Sequence, residues 1–113
     1  MINHYAKTLL ERFNIANLAD SFPMDLSGGE LRRALIARAL INHPEIIIAD
    51  EPVSDLDINS AHEVMKIFSE LNSEGVTLLI VSHDLESIKF GNKVFTMDSG
   101  RLLEGNRLTT PQQ

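Results

Sequence analysis

Ile46-Ile47-Ile48-Ala49-Asp50-Glu51-Pro52 joins four apolar residues to two carboxylates and a proline. A continuous β-branched run of this kind predicts a strand in a sheet covered on both faces. A second such run, Val76-Thr77-Leu78-Leu79-Ile80-Val81, follows. Between them, residues Asn59 to Asn72 predict a helix with Ala61, Val64, Met65, Phe68 and Leu71 on one face, and Ser73-Glu74-Gly75 ends it. Strand, helix, strand is the unit of a parallel sheet with a right-handed crossover.

Working outward, Asp84 to Phe90 predicts a short helix, capped by Ser82 or Asp84 and closed by Gly91-Asn92. Lys93 to Met97 reads as a third strand, and Asp98-Ser99-Gly100 as a tight hairpin turn into Arg101-Leu102-Leu103-Glu104. Upstream, Tyr5, Ala6, Leu9, Leu10 and Phe13 recur at helical spacing. Asp20-Ser21-Phe22-Pro23 reads as a turn, and Leu31 to Ile41 as a helix stopped by Asn42-His43-Pro44. The expected organisation is a helical part over 1–44, an α/β part over 45–104 and a loose polar tail over 105–113.

The chain has 113 residues, 43% hydrophobic and 23% charged, within the range of one globular domain. Its formal charge of −6 offers no basic footprint, which counts against nucleic acid as a partner. There is no cysteine, so disulfides and thiolate metal sites are excluded. Met1-Ile2-Asn3-His4-Tyr5 lacks the basic start and apolar core of a signal peptide. No apolar stretch approaches the length of a membrane span, so any membrane role is expected to be peripheral.

Two stretches carry candidate chemistry. Leu26-Ser27-Gly28-Gly29-Glu30 opens a helix with two glycines, a geometry that presents backbone N–H groups to phosphate. The competing reading is an ordinary capped helix start, with Ser27 as the cap and Glu30 suited to the helix dipole. Asp50 and Glu51 sit at the carboxyl end of the first strand, where parallel α/β sheets bind ligands. There Asp50 would hold Mg²⁺ through water and Glu51 would polarise an attacking water, against the plainer reading of a solvated acidic turn. Ser54-Asp55-Leu56-Asp57 is either a polar loop that meets a partner or the cap of the following helix. His83 follows the second strand at the same sheet end and would donate to a terminal phosphate oxygen; a surface histidine is the alternative. Arg32, Arg33 and Arg38 read as surface charges or partners of nearby acids. No G-x-x-x-x-G-K-[ST] loop is present.

In this order the segments resemble the nucleotide-binding domain of ABC transporters, from about Tyr5 to Glu104. Leu26 to Glu30 is similar to the family signature, and Ile46 to Glu51 to Walker B with the catalytic glutamate. Ser54 to Asp57 resembles the D-loop and His83 the switch histidine. The resemblance implies a P-loop NTPase-like parallel sheet, of which this chain would be the C-terminal half, with a small helical subdomain segment. It implies ATP and Mg²⁺ as cofactors and ATP hydrolysis that drives transport, on the cytoplasmic face of a membrane beside a transmembrane permease. It implies a head-to-tail dimer with a second ATP-binding domain. Ser27, Gly28, Gly29 and Glu30 would then clasp the partner's ATP, while Asp50, Glu51 and His83 act on ATP held by their own chain. Asp57 would link the two sites. Glu30 stands where glutamine is commoner and Val53 where threonine is. The aromatic stacking residue, the Walker A loop and the Q-loop glutamine would all precede Met1, so the chain by itself is expected to bind ATP weakly or not at all. A lobe of the chromosome-maintenance (SMC-like) ATPases and a non-catalytic interaction module are the competing readings.

Overall fold

The computed structural model describes residues 4–20 and 22–105. Along the chain run α1 (His4–Arg12), α2 (Gly28–Leu40), β1 (Ile46–Asp50), α3 (Ile58–Ser73), β2 (Thr77–Val81), α4 (Leu85–Ile88), β3 (Phe95–Asp98) and β4 (Arg101–Glu104). Single 3₁₀ turns at Ala16–Leu18 and Pro23–Asp25 join α1 to α2. The chain divides into two compact units, one ending at Val81 and one beginning at Ser82. Of the expected tail, the Gly105 N–H donates to the Val94 carbonyl at 2.8 Å, and residues 106–113 lie outside the described residues, as does Ser21 of the expected turn.

In the first unit β1 and β2 pair in parallel, from Ile46 opposite Thr77 to Asp50 opposite Val81, with α3 as the connecting helix. The core joins all three long helices to the sheet: Leu9 of α1, Ile36 and Leu40 of α2, Val64 and Phe68 of α3, and Ile47 of β1. Val64 has no exposed surface. It belongs to the face foreseen from helical spacing, which also supplies buried Met65 and Leu71. Burial of that stripe is the main stabilising contribution, since an isolated helix of this length is marginal in water.

The sheet departs from expectation on its outer face. Ile46 is 55% exposed, Ile48 68%, Leu79 55% and Val81 51%. Ile47, Ala49, Leu78 and Ile80, which alternate with them, pack toward the core. Strand side chains alternate between faces, and the described residues supply helices for one face only. The apolar runs therefore read as doubly covered strands while only half of each is covered.

In the second unit α4 is a single turn. Of the two expected caps Asp84 is the one used, accepting from the Glu86 N–H at 3.0 Å, while the Ser82 hydroxyl accepts from the N–H of Asp84 itself at 3.0 Å. β3 and β4 form an antiparallel pair, Phe95 opposite Glu104 and Asp98 opposite Arg101. Ser99 and Gly100 have φ of 52° and 81°, the left-handed pair that matches hairpin twist. The third strand, read over Lys93 to Met97, forms as β3 over Phe95–Asp98. Among the described residues it pairs only with β4, in a separate two-stranded sheet, because the two-residue turn folds β4 straight back onto it.

Candidate functional site

β1 delivers two carboxylates to its carboxyl end and then turns sharply. Asp50 is its last residue and is exposed. The Glu51 N–H donates to the Val81 carbonyl at 2.7 Å, which extends the β1–β2 ladder by one bond. Glu51 itself has a φ of 50°, in the left-handed region, and so does Asp55, with a φ of 67°. Such backbone costs about 1–3 kcal/mol per residue unless the surroundings impose it. Here Pro52 and Val53 are buried beneath the turn. Within it Ser54 N–H reaches the Glu51 carbonyl at 3.3 Å and Leu56 N–H the Val53 carbonyl at 3.2 Å.

Arg32 of α2 completes the turn. Its Nε donates to the Pro52 carbonyl at 3.1 Å and its Nη2 to the Ser54 carbonyl at 2.9 Å. The sequence reading gave this arginine no site role. The available signal was its place four residues before Ile36 and eight before Leu40, on the buried stripe of α2. A guanidinium carried into such a stripe needs acceptors there.

Asp57 caps α3, accepting from Ser60 N–H at 3.2 Å. Hydrogen bonds from the Ser60 side chain and backbone hold its carboxyl below the ordinary aspartate value of 3.8. The amino end of α2 is a full capping box. Ser27 Oγ accepts from Glu30 N–H at 3.1 Å, and Glu30 Oε1 accepts from Ser27 N–H at 2.9 Å. The helix accordingly starts at Gly28, with Ser27 as the cap that the sequence offered, ahead of the apolar run from Leu31. The glycines also let this end lie close to its neighbours. A Cβ on Gly28 would come 2.8 Å from Leu56 Cδ2, and one on Gly29 3.2 Å from Ser60 Cβ.

The structure thus brings Ser27, Gly28, Gly29 and Glu30 beside the Leu56–Ser60 segment that holds Asp57, and ties Asp50 and Glu51 to the same helix through Arg32. An open cavity of about 290 Å³ lies against the turn, lined by Arg32, Arg38, Ile48, Asp50, Pro52 and Phe68 among others. His83 lies between β2 and α4 in the second unit and is exposed.

Among the described residues no group of three or more His, Cys, Asp or Glu forms a protein-built metal cage. Adjacent Asp50 and Glu51 do supply hard oxygen donors. Mg²⁺ takes one or two carboxylates and completes its shell with water and substrate phosphates, so this donor set fits Mg²⁺ bound together with a nucleotide. No described helix is long and apolar enough to cross a membrane.

Asp50 and Glu51 thus stand at the carboxyl end of a parallel strand, the place where open α/β sheets bind ligands. Comparison with known proteins gives the family. The ABC transporter family model matches residues 2–54. An ABC transporter ATP-binding protein of Methanocaldococcus jannaschii is 41% identical over 88% of this chain and 44% of its own length. An ATP-binding cassette of an ABC transporter, solved in its ADP conformation, superposes with a TM-score of 0.84 at 28% identity, over 96% of this chain and 44% of that one. A dimeric post-hydrolysis state of a cassette bound to ADP and Pi gives a TM-score of 0.70 at 34% identity, over 92% of this chain and 49% of that one. The chain belongs to the ABC transporter ATP-binding family, and it spans about two-fifths to one half of the length of these three relatives.

Proposed function

We propose that this chain is the carboxyl-terminal half of the ATP-binding subunit of an ABC transporter, and that it hydrolyses ATP to drive transport once completed by a Walker A-bearing half. The observation that carries the reading is the strained carboxylate turn. Glu51 stands at the end of a parallel strand in backbone that costs energy, which is common where a side chain must point at a ligand. In this reading Glu51 is the base that orients and deprotonates the attacking water. Asp50 would hold Mg²⁺, which neutralises phosphate charge when bound. His83 would donate a hydrogen bond to the terminal phosphate. Ser27, Gly28 and Gly29, with Glu30 fixing the cap, would present the amino end of α2 to ATP held by a second, head-to-tail ATP-binding domain. Asp57 would sit at that interface. The subunit would work on the cytoplasmic face of a membrane, bound to a permease.

The exposed outer face of β1 and β2 supports the need for a completing half. Four large aliphatic side chains in water on one face are unusual for a finished α/β sheet. The solved cassettes with the same fold run to about twice this length.

The test joins this chain to the remaining part of the Methanocaldococcus jannaschii relative and measures hydrolysis. We expect Mg-ATP turnover in the joined protein and a fall of about 10²–10⁴-fold with Glu51→Gln. For the chain alone we expect no change in Tm with Mg-ATP. A raised Tm would show that nucleotide binding does not need the Walker A half. Undiminished turnover with Glu51→Gln would remove Glu51 from the chemistry.

A further inference from the structure

Arg32 is half-buried on the same stripe of α2 as Ile36 and Leu40, and its fork engages neutral backbone. The two acceptors, the carbonyls of Pro52 and Ser54, flank buried Val53 in the turn that follows Glu51. One rigid guanidinium plane holds both in a fixed geometry; a lysine ammonium, a point charge on a flexible stem, does not impose that geometry. The turn's own hydrogen bonds, at 3.2 and 3.3 Å, are longer than the usual N–H···O distance. Bonds from a charged donor are the stronger ones in such a set. They act where Glu51 and Asp55 hold unfavourable φ values.

We propose that Arg32 is a positioning residue for Glu51. It ties the turn to α2, so the direction of the Glu51 carboxylate follows the position of the helix whose amino end carries Ser27, Gly28 and Gly29. A displacement of that end moves the carboxylate with it. The inference rests on the reading of Glu51 as the base. α2 has a second tether, the ion pair of Arg33 with Glu63 on α3 at 2.9 Å, which does not touch the turn and serves as the control.

The test has two arms. In the chain as it stands, amide hydrogen exchange is followed by NMR for Arg32→Ala, Arg32→Lys and Glu63→Gln. We expect the Ser54 and Leu56 amides to exchange about tenfold faster or more in both Arg32 variants, with the amides of β1 and β2 unchanged. Glu63→Gln should leave residues 51–56 as they are. Unchanged exchange in Arg32→Ala, or acceleration spread equally over β1 and β2, overturns the proposal. In the joined ATPase, Arg32→Lys should lower kcat about tenfold with KM for ATP unchanged. An unchanged kcat, or a loss confined to KM, overturns the positioning role. Glu51→Gln in the same protein separates the two ideas. If it leaves turnover intact, the reading of Glu51 fails, while the exchange data still decide whether Arg32 orders the turn.

Discussion

The amino end of α2 and the turn after β1 each carry a serine and a glutamate, but their backbones are held in different ways. At α2, Ser27 and Glu30 satisfy each other's backbone, and the helix start needs no ligand to explain it. At the turn, Glu51 and Asp55 sit in left-handed backbone that no cap rewards. Long-range contacts hold it instead: the Val81 carbonyl from β2, the burial of Pro52 and Val53, and the Arg32 fork from α2. A locally satisfied motif is explained by folding alone. A strained one imposed by distant elements points toward chemistry. By that standard the carboxylate turn is the stronger functional signal, although the glycine motif is the more conspicuous in the sequence.

This contrast can be broken experimentally. The largest effect should be on rate, through Glu51→Gln in the joined protein. Next comes Gly29→Val at the packed side of α2. Its side chain has no room 3.2 Å from Ser60 Cβ, so α2 must lift from α3, at about 1–3 kcal/mol by urea unfolding. An unchanged midpoint would mean that the glycine is there for a ligand and not for packing. Ser27→Ala removes one half of the capping box and should cost about 1 kcal/mol in the same measurement. A negligible cost would mean that the capping box does not hold the helix start, and would leave the proposed contact with ATP as the role of Ser27.

The smallest effect belongs to Asp57. Its carboxyl is held below 3.8 in the folded chain, so the cap contributes stability that is present above 3.8 and lost as pH falls through the lower folded value. Asp57→Asn keeps a capping side chain but does not titrate. The variant's stability should therefore decline less steeply than wild type below pH 3.8, measured by urea midpoints across that window. Parallel profiles would mean that the Ser60 bonds do not favour the charged form.

Much of this was legible in the residues. Ser27 with Glu30 three residues on, Asp57 before α3 and Ser99-Gly100 between two strands are local signals, each decided within four residues. The same locality places both carboxylates at a strand end, directly after the apolar run of β1. Arg32 could not be read in this way, because its acceptors lie 20 and 22 residues away. Nor could the close approach of Gly28 to Leu56, since the spacing between α2 and the later loop is set by the whole core.

The sequence by itself determined the helices and strands, the caps of α2 and α3 and the crossover unit, because hydrophobic period and turn chemistry act over a few residues. Only the tertiary structure decided which face of β1 and β2 is covered, that β3 pairs with β4 alone among the described strands, and that Arg32 binds the Glu51 turn. Those outcomes depend on which distant surfaces meet. A run such as Ile46-Ile47-Ile48 reads the same whether one face or two will be buried.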